Sequence, residues 1–92
     1  METLYEDEDC WLGRYYDEDH WVLGTKIHTW SLSKYKKYLS ILGQVLAKDN
    51  TIYLSYVRGQ KEKKFNLLFG FKETGLKFIY KEIEFEVLYV RI

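Results

Sequence analysis

Residues 31–48, SLSKYKKYLSILGQVLAK, decide the fold because they carry the clearest helical pattern in the chain. Their apolar residues recur at the i, i+3, i+4, i+7 spacing that places one stripe on one face of an α-helix. The stripe comprises Tyr35, Tyr38, Leu39, Leu42, Val45 and Leu46. Ser31 or Ser33 can cap the first turn, because a serine hydroxyl accepts a hydrogen bond from a free backbone N–H. Strand-like runs on both sides predict that this helix packs against a β-sheet.

Two of these runs precede the helix. Residues 10–16 and 20–28 are rich in aromatic and β-branched side chains, and Asp17-Glu18-Asp19 separates them. Turn-favouring residues between two such runs are typical of a β-hairpin.

The runs after the helix predict three more strands and a second helix. A turn at Asp49-Asn50 leads into a strand over 51–57, and residues 60–69 have the spacing of a short helix that ends at Gly70. Two closing strands, 76–81 and 83–91, meet in a tight turn near Lys81-Glu82. The sequence therefore predicts an α+β fold in the order ββαβαββ, with two helices and a mostly antiparallel sheet of about five strands. We expect residues 1–92 to form a single domain, of which the acidic segment 1–9 frays apart from Leu4 and Tyr5.

Composition limits the cellular setting. The chain has 92 residues and a single cysteine, Cys10, which favours a reducing compartment over a disulfide-stabilised one. No apolar run approaches the roughly 20 residues that a membrane-spanning helix needs. We therefore expect a cytoplasmic protein without a membrane partner.

The formal net charge of zero hides an asymmetry. Residues 1–20 contain eight acidic residues and one arginine, whereas residues 21–92 contain thirteen basic and six acidic residues. Such a division can orient a molecule on a charged partner. The alternative is intramolecular, with the acidic segment lying over the basic remainder, and the sequence favours neither.

Candidate sites for chemistry are sparse. His20 and His28 would lie roughly 26 Å apart on one strand, too far to share a metal ion, and Cys10 lacks the surroundings of a catalytic nucleophile. Lysines alternate with tyrosines at 34–38, but Tyr35 and Tyr38 belong to the core stripe and are not free to stack on bases. Direct nucleic-acid binding, a metal site and a catalytic residue are therefore not predicted.

The order of elements and the motif LLFGFKETG at 67–75 resemble the C-terminal two-thirds of the GNAT N-acetyltransferase fold, over residues 10–92. The motif is similar to the G-F-x-x-x-G sequence that ends the family's fourth helix. Small phage-encoded proteins of GNAT type are similar in composition. The resemblance implies that residues 10–28 are the central strands and that helix 31–48 receives coenzyme A at its N-terminus.

Two departures from the family bear on activity. The phosphate loop of the family is Q/R-x-x-G-x-G/A, but residues 30–36, WSLSKYK, contain no glycine, and a β-carbon at each position crowds a backbone that must curl around a phosphate. The position of the family's tyrosine that protonates the thiolate is Asn66 here. The resemblance therefore favours a scaffold without the chemistry, with no catalytic residues and no cofactor.

The first functional hypothesis is a non-catalytic, GNAT-like protein-binding module of phage type. Its acidic surface would dock on a basic protein surface, such as that of a host nucleic-acid-handling or defence enzyme, for example a CRISPR nuclease. The expected contacts are acidic residues and aromatic anchors: Glu6, Asp7, Glu8, Asp9, Trp11, Tyr15, Tyr16, Asp17, Glu18, Asp19 and Trp30.

Two alternatives belong to other functional classes. An acetyl-CoA-dependent N-acetyltransferase would hold its cofactor through the end of the second strand and the start of the helix: Ile27, His28, Thr29, Ser31, Ser33, Lys34 and Lys36. A structural or virion subunit would form a homodimer or larger homo-oligomer through an edge strand of the closing hairpin.

Overall fold

The computed structural model describes residues 1–49 and 51–91. These residues form six strands and two helices. In chain order the elements are β1 (Glu2–Glu6), β2 (Cys10–Asp17), β3 (His20–Ile27), α1 (Leu32–Asp49), β4 (Tyr53–Val57), α2 (Gly59–Leu68), β5 (Lys72–Tyr80) and β6 (Ile83–Val90).

The described strands form one sheet in the order β1-β2-β3-β4-β6-β5. All neighbouring pairs are antiparallel except β3 and β4, which are parallel. A parallel pair needs a crossover connection of a dozen or more residues, and α1 provides it. The parallel pairing is short: it joins Trp21 to Tyr53 and Val22 to Leu54.

The sequence predicted the fold class but not the number of strands. The α+β class, the two helices and the mostly antiparallel sheet are confirmed, whereas the sheet has six strands instead of five. Residues 1–9, which the sequence expects to fray apart from Leu4 and Tyr5, contain strand β1, which pairs with β2 and places Tyr5 opposite Leu12. Leu4 and Tyr5 pack against the core, so this short acidic segment still buries apolar surface.

Helix α1 forms much as its pattern predicts. Tyr38, Leu42 and Leu46 are buried, and the Ser31 hydroxyl accepts a hydrogen bond from the backbone N–H of Lys34 at 3.2 Å. The stripe is centred slightly differently from the prediction, because Leu39 is exposed and Ile41 is half-buried against the core. Neither α1 nor α2 is long and apolar enough to cross a membrane.

Both hairpins turn through two residues with positive φ. These are Glu18 (45°) and Asp19 (68°) between β2 and β3, and Lys81 (50°) and Glu82 (65°) between β5 and β6. Positive φ at both positions is the geometry of the type I′ turns that match the twist of paired strands. The two predicted hairpins are thus confirmed, as is the short helix before Gly70. The predicted turn at Asp49-Asn50 includes Asn50, which lies outside the described residues.

Both helices pack on the same face of the sheet. Leu42 and Leu46 of α1 share a core cluster with Tyr53, Val57 and other residues of this face. Ser55, between those two on β4, donates a hydrogen bond to Asn66 of α2 at 2.8 Å. The opposite face, which we call the open face, is covered by no helix among the described residues.

Trp11 shows how the open face is partly closed by its own side chains. The indole lies over two glycines of β2 and β3, and Nε1 donates a hydrogen bond to the Thr3 hydroxyl at 3.0 Å. A β-carbon at Gly13 would overlap the indole and would lie 2.9 Å from the Glu2 carbonyl oxygen. At Gly24 the nearest ring atom would be 3.5 Å away, an ordinary contact. Glycine is therefore required at position 13 by the close approach of the Trp11 indole and the Glu2 carbonyl oxygen, whereas there is room for a β-carbon at Gly24.

We expect Gly13→Ala to lower the free energy of unfolding by roughly 1–3 kcal/mol, because the added methyl group must displace the indole of Trp11 from its site. The matched control is Gly24→Ala on the neighbouring strand, which should change stability by less than about 1 kcal/mol. Urea unfolding followed by circular dichroism measures both. Equal stability of the two variants would contradict this packing.

Candidate protein-binding site

The loop between β1 and β2 is held by ion pairs. The Oδ2 atom of Asp9 lies 2.7 Å from Nζ of Lys34 and 2.8 Å from Nζ of Lys37, and Asp7 Oδ2 lies 2.6 Å from Nζ of Lys37. Asp9 is buried, and a buried carboxylate is tolerated only when it is paired. The two lysines belong to the first turns of α1, so the acidic segment is fixed to the start of the helix.

Hydrogen bonds complete this attachment. The Asp9 carbonyl oxygen accepts hydrogen bonds from the backbone N–H groups of His28 at 2.8 Å and Thr29 at 3.2 Å. The other carboxylate oxygen of Asp7 accepts two more from the backbone N–H groups of Asp9 and Cys10. The loop therefore joins the end of β3 to the N-terminal turns of α1.

The surrounding charges shift the pKa values of these groups. Hydrogen bonds from Lys37 and the Tyr5 hydroxyl hold the pKa of Asp7 well below its usual range. The Lys34 and Lys37 ammonium groups likewise lower the pKa of Asp9. Burial raises the pKa of the Cys10 thiol, which favours the unreactive protonated form.

These contacts change the interpretation of the acidic segment. Asp7 and Asp9, predicted as contacts for a basic partner, instead neutralise lysines of this chain. Glu6 and Glu8 are exposed. Ion pairs within the molecule thus neutralise part of the negative charge at this end.

The residues expected to hold acetyl-CoA surround the same loop. The backbone N–H groups of His28 and Thr29 donate hydrogen bonds to the Asp9 carbonyl oxygen, and Lys34 forms an ion pair with the Asp9 carboxylate. The Ser31 hydroxyl caps α1 and lies 3.1 Å from the Ser33 hydroxyl. Ile27 ends β3 half-buried, and Lys36 is exposed. Among residues 1–49 and 51–91, no group of three or more His, Cys, Asp or Glu side chains is arranged to hold a metal ion.

The open face carries a broad concave surface. This groove, of about 1090 Å³, extends from the β2–β3 turn across β4 and β6 to the edge strand β5. Its lining is mostly aromatic and aliphatic, with a few charged groups at the margins: Tyr15, Asp17, Glu18, His20, Leu54, Tyr56, Thr74, Leu76, Lys77, Phe78, Tyr80, Phe85 and Val87. We call it the open-face groove.

A row of aromatic rings forms the floor of the groove. The Phe78 ring packs edge-on against Tyr56 with centroids 4.9 Å apart, and stacks on Phe85 at 5.3 Å. The Tyr56 hydroxyl donates a hydrogen bond to Asp17 Oδ2 at 2.9 Å. Burial and this carboxylate raise the pKa of Tyr56, so it remains a neutral donor. The row thus connects the strands of the sheet to the acidic turn.

The predicted contact residues do not form one surface. Tyr15, Asp17 and Glu18 line the open-face groove, and Asp19 lies beside them in the exposed turn. Asp9, at the other end of β2, is roughly 26 Å away at about 3.3 Å per residue. The N-terminal acids and the hairpin turn therefore lie at separate places on the molecule.

Three predicted aromatic anchors also lie outside the groove. Trp11 is half-buried over glycines, Tyr16 packs edge-on against Trp21 at 5.1 Å, and Trp30 lies beside the helices.

Sequence reasoning missed Tyr56, Phe78, Tyr80 and Phe85, which supply much of the groove. The alternation of apolar residues at Ile83, Phe85, Val87 and Tyr89 does indicate that these four lie on one face of a single strand. The missing information was which face the helices cover. That depends on the positions of α1 and α2, so no local pattern contains it.

Comparison of the chain with protein-family models, with curated proteins and with solved structures finds no match.

We expect the Asp7 and Asp9 ion pairs to make stability depend on pH below about 4. Both folded-state pKa values are lowered relative to an unfolded value of about 3.9. The stabilisation is therefore fully present above that value and is lost as the pH falls through the folded-state values. Asp9→Asn should lower the melting temperature at pH 7 and flatten its pH dependence between about pH 5 and 2.

The control for this prediction is Glu8→Gln, which removes a neighbouring exposed carboxylate and should leave the melting curve nearly unchanged at each pH. Differential scanning calorimetry across this pH range measures both variants. An Asp9→Asn protein as stable as the wild type at pH 7 would show that the ion pairs contribute nothing to folding.

Proposed function

We propose that this protein is a non-catalytic protein-binding module that docks through the open-face groove and the acidic turn beside it. One observation carries the proposal: aromatic side chains on the helix-free face form a continuous groove that ends at Asp17 and Glu18. Aromatic residues that remain accessible in a concave surface are the usual anchors of protein interfaces.

The openness of the groove favours a polypeptide over a small molecule. Pockets for small ligands usually bury most of the ligand's surface, whereas the groove is open to solvent. Leu76 and Tyr80 at its margin are 63% and 59% exposed. Large apolar side chains left this accessible gain free energy when a partner covers them.

The charges at the groove favour a basic partner. Asp17, Glu18 and Asp19 form the acidic turn, and they make no ion pair with the residues that the structure describes. Lys77 at the opposite margin lies 3.7 Å from Glu84. A partner with lysine or arginine beside apolar residues matches both the turn and the rings.

The resemblance to small phage-encoded proteins suggests a source for such a partner. A host enzyme that handles nucleic acid, including a CRISPR nuclease, has a basic groove that acidic side chains can occupy in place of phosphates. This part of the proposal places the protein in the cytoplasm of the host cell as an inhibitor. It rests on the resemblance and on the acidic turn.

We expect capture of the partner from a bacterial lysate to depend on the acidic turn. Glu18→Gln with Asp19→Asn removes two charges and keeps residues that the turn tolerates, since Asn adopts positive φ readily. This variant should weaken binding of the captured protein at least tenfold, as measured by calorimetry with the purified partner. Tyr80→Ser should weaken it as well, because it removes an exposed ring at the margin.

The matched control removes two exposed charges elsewhere, with Glu6→Gln on β1 and Glu82→Gln in the other two-residue turn. It should bind like the wild type. A captured protein that binds all variants equally, or no captured protein at all, would overturn the proposal. Sedimentation of the purified chain tests the homo-oligomer in parallel, since pairing of β5 edges would give a dimer.

The acetyltransferase alternative predicts a different result. Lys34 would have to contact the pyrophosphate of coenzyme A, yet its ammonium group is 2.7 Å from Asp9. We therefore expect coenzyme A in large excess to leave the melting temperature of the wild type unchanged, since a ligand stabilises a fold only by binding it. Stabilisation that increases with coenzyme A concentration would favour the enzyme instead.

A further inference from the structure

Five aromatic rings lie between the two helices on the side opposite the open-face groove. Trp30 lies in the connection from β3 to α1. Its ring centroid is 5.6 Å from that of Phe65 and 6.4 Å from that of Phe69, at the C-terminal end of α2. It is 5.9 Å from the ring centroid of Tyr35 and 6.2 Å from that of Tyr38, both in α1. The Tyr35 hydroxyl donates a hydrogen bond to the Leu68 carbonyl oxygen at 2.9 Å. We call these rings the interhelix cluster.

A small cavity lies beneath the cluster. It has a volume of about 50 Å³ and is bounded by β2 and β3, by α1 and by the end of α2. Tyr38, Phe65 and Phe69 belong both to its wall and to the cluster that contacts Trp30. Most of the residues that line it are apolar, and two of its polar side chains are engaged elsewhere: Asn66 forms hydrogen bonds with Ser55 and with the Glu62 carbonyl oxygen, and the Tyr38 hydroxyl donates one to the Thr29 carbonyl oxygen. The cavity is therefore suited to an apolar group.

Large apolar side chains around the cluster remain accessible to solvent. Trp30 is 52% exposed, Leu32 77% and Leu68 50%. Leu32, Tyr35 and Leu39 follow one another at i, i+3 and i+7 along α1, so they share one face of that helix. The hydrogen bond from the Tyr35 hydroxyl to the Leu68 carbonyl oxygen places this face of α1 next to Leu68. The result is one apolar surface that spans both helices.

Lysines border this surface. Lys36 follows Leu32 by one helical turn, and Lys61 and Lys64 precede Phe65 and Leu68 by one turn. None of the three makes an ion pair with a residue in the ranges 1–49 and 51–91. The one acidic residue of α2, Glu62, is 3.4 Å from Arg58. The border is therefore positively charged.

We propose that this surface, formed by Trp30, Leu32, Leu39, Leu68 and the bordering lysines, binds an acidic amphipathic helix of a protein partner. An amphipathic helix offers apolar residues at i, i+3, i+4 and i+7 to a groove between helices. Glutamate or aspartate at its flanks complements Lys36, Lys61 and Lys64. This site is separate from the open-face groove and has the opposite charge.

The cavity favours a protein helix over a lipid surface as the occupant. A comparable apolar cavity of about 150 Å³ admits a whole benzene molecule, so one of about 50 Å³ admits the end of a single aliphatic side chain. A leucine or methionine projecting from a partner helix supplies such an end. An interfacial lipid layer presents a broad apolar boundary with no projecting side chain.

The experiment uses a synthetic peptide of about 18 residues with leucines at i, i+3, i+4 and i+7 and glutamates at most other positions. We expect it to bind the full chain and to shift the indole N–H resonance of Trp30, assigned with Trp30→Phe. Calorimetry should show that Lys36→Glu with Lys64→Glu weakens binding at least tenfold, and that Leu68→Ser weakens it too. A peptide with lysines in place of the glutamates should not bind this surface.

The matched control is Lys26→Glu with Lys81→Glu, which makes the same charge change away from the helices and should bind the acidic peptide like the wild type. Absence of acidic-peptide binding, or binding that Lys36→Glu/Lys64→Glu and Leu68→Ser leave unchanged, would overturn the proposal. Binding to vesicles containing phosphatidylserine without binding to the peptide would overturn it in favour of a membrane surface. Capture of a partner through Glu18 and Asp19 of the acidic turn should not be affected by any of these variants. Each of the two proposals can therefore be refuted without the other.

Discussion

The parallel pairing of β3 with β4 is the constraint on which the rest of the structure depends. Two strands in the same direction cannot be joined by a hairpin, so α1 must run back along one face of the sheet. Its buried stripe of Tyr38, Leu42 and Leu46 then fixes which face becomes the core. Because α2 packs on this same face through Asn66, the opposite face is left without a helix among the described residues. Both proposed binding surfaces follow from this single arrangement.

Ion pairs at the start of α1 explain how a chain with such uneven charge folds as one unit. Three lysines in the first turns of a helix are unfavourable, because its N-terminal dipole is positive. Asp9 offsets two of them at once, and Asp7 shares one of these, while the backbone of Asp9 also binds the end of β3. The acidic segment is thus part of the fold through Asp7 and Asp9, whereas the acids of the β2–β3 turn form no ion pair with the residues that the structure describes. The ion pairs that form on folding therefore decide which charged groups remain available on the surface.

Local patterns in the sequence predicted the local parts of the structure. The period of Tyr38, Leu42 and Leu46 identified α1, and turn-favouring residues identified both hairpins. They did not identify β1, because Leu4 and Tyr5 are the only apolar residues in this strand and their burial depends on strand β2. Local patterns also did not distinguish the acidic residues that form ion pairs from those that remain accessible, since Asp9 and Lys34 are 25 positions apart in sequence. The open-face groove escaped for the same reason, because it combines residues from five strands.

The two proposed surfaces differ in charge and lie on opposite sides of one thin sheet, and this has a consequence for self-association. An acidic surface on one copy complements a basic surface on the next, which is a head-to-tail contact that does not close. The charges concerned are exposed, so salt at physiological strength screens them beyond about 8 Å. Occupation of either surface by a partner also removes it from such contacts. In the proposed arrangement the sheet lies between the two surfaces, so that a partner on one would not block a partner on the other.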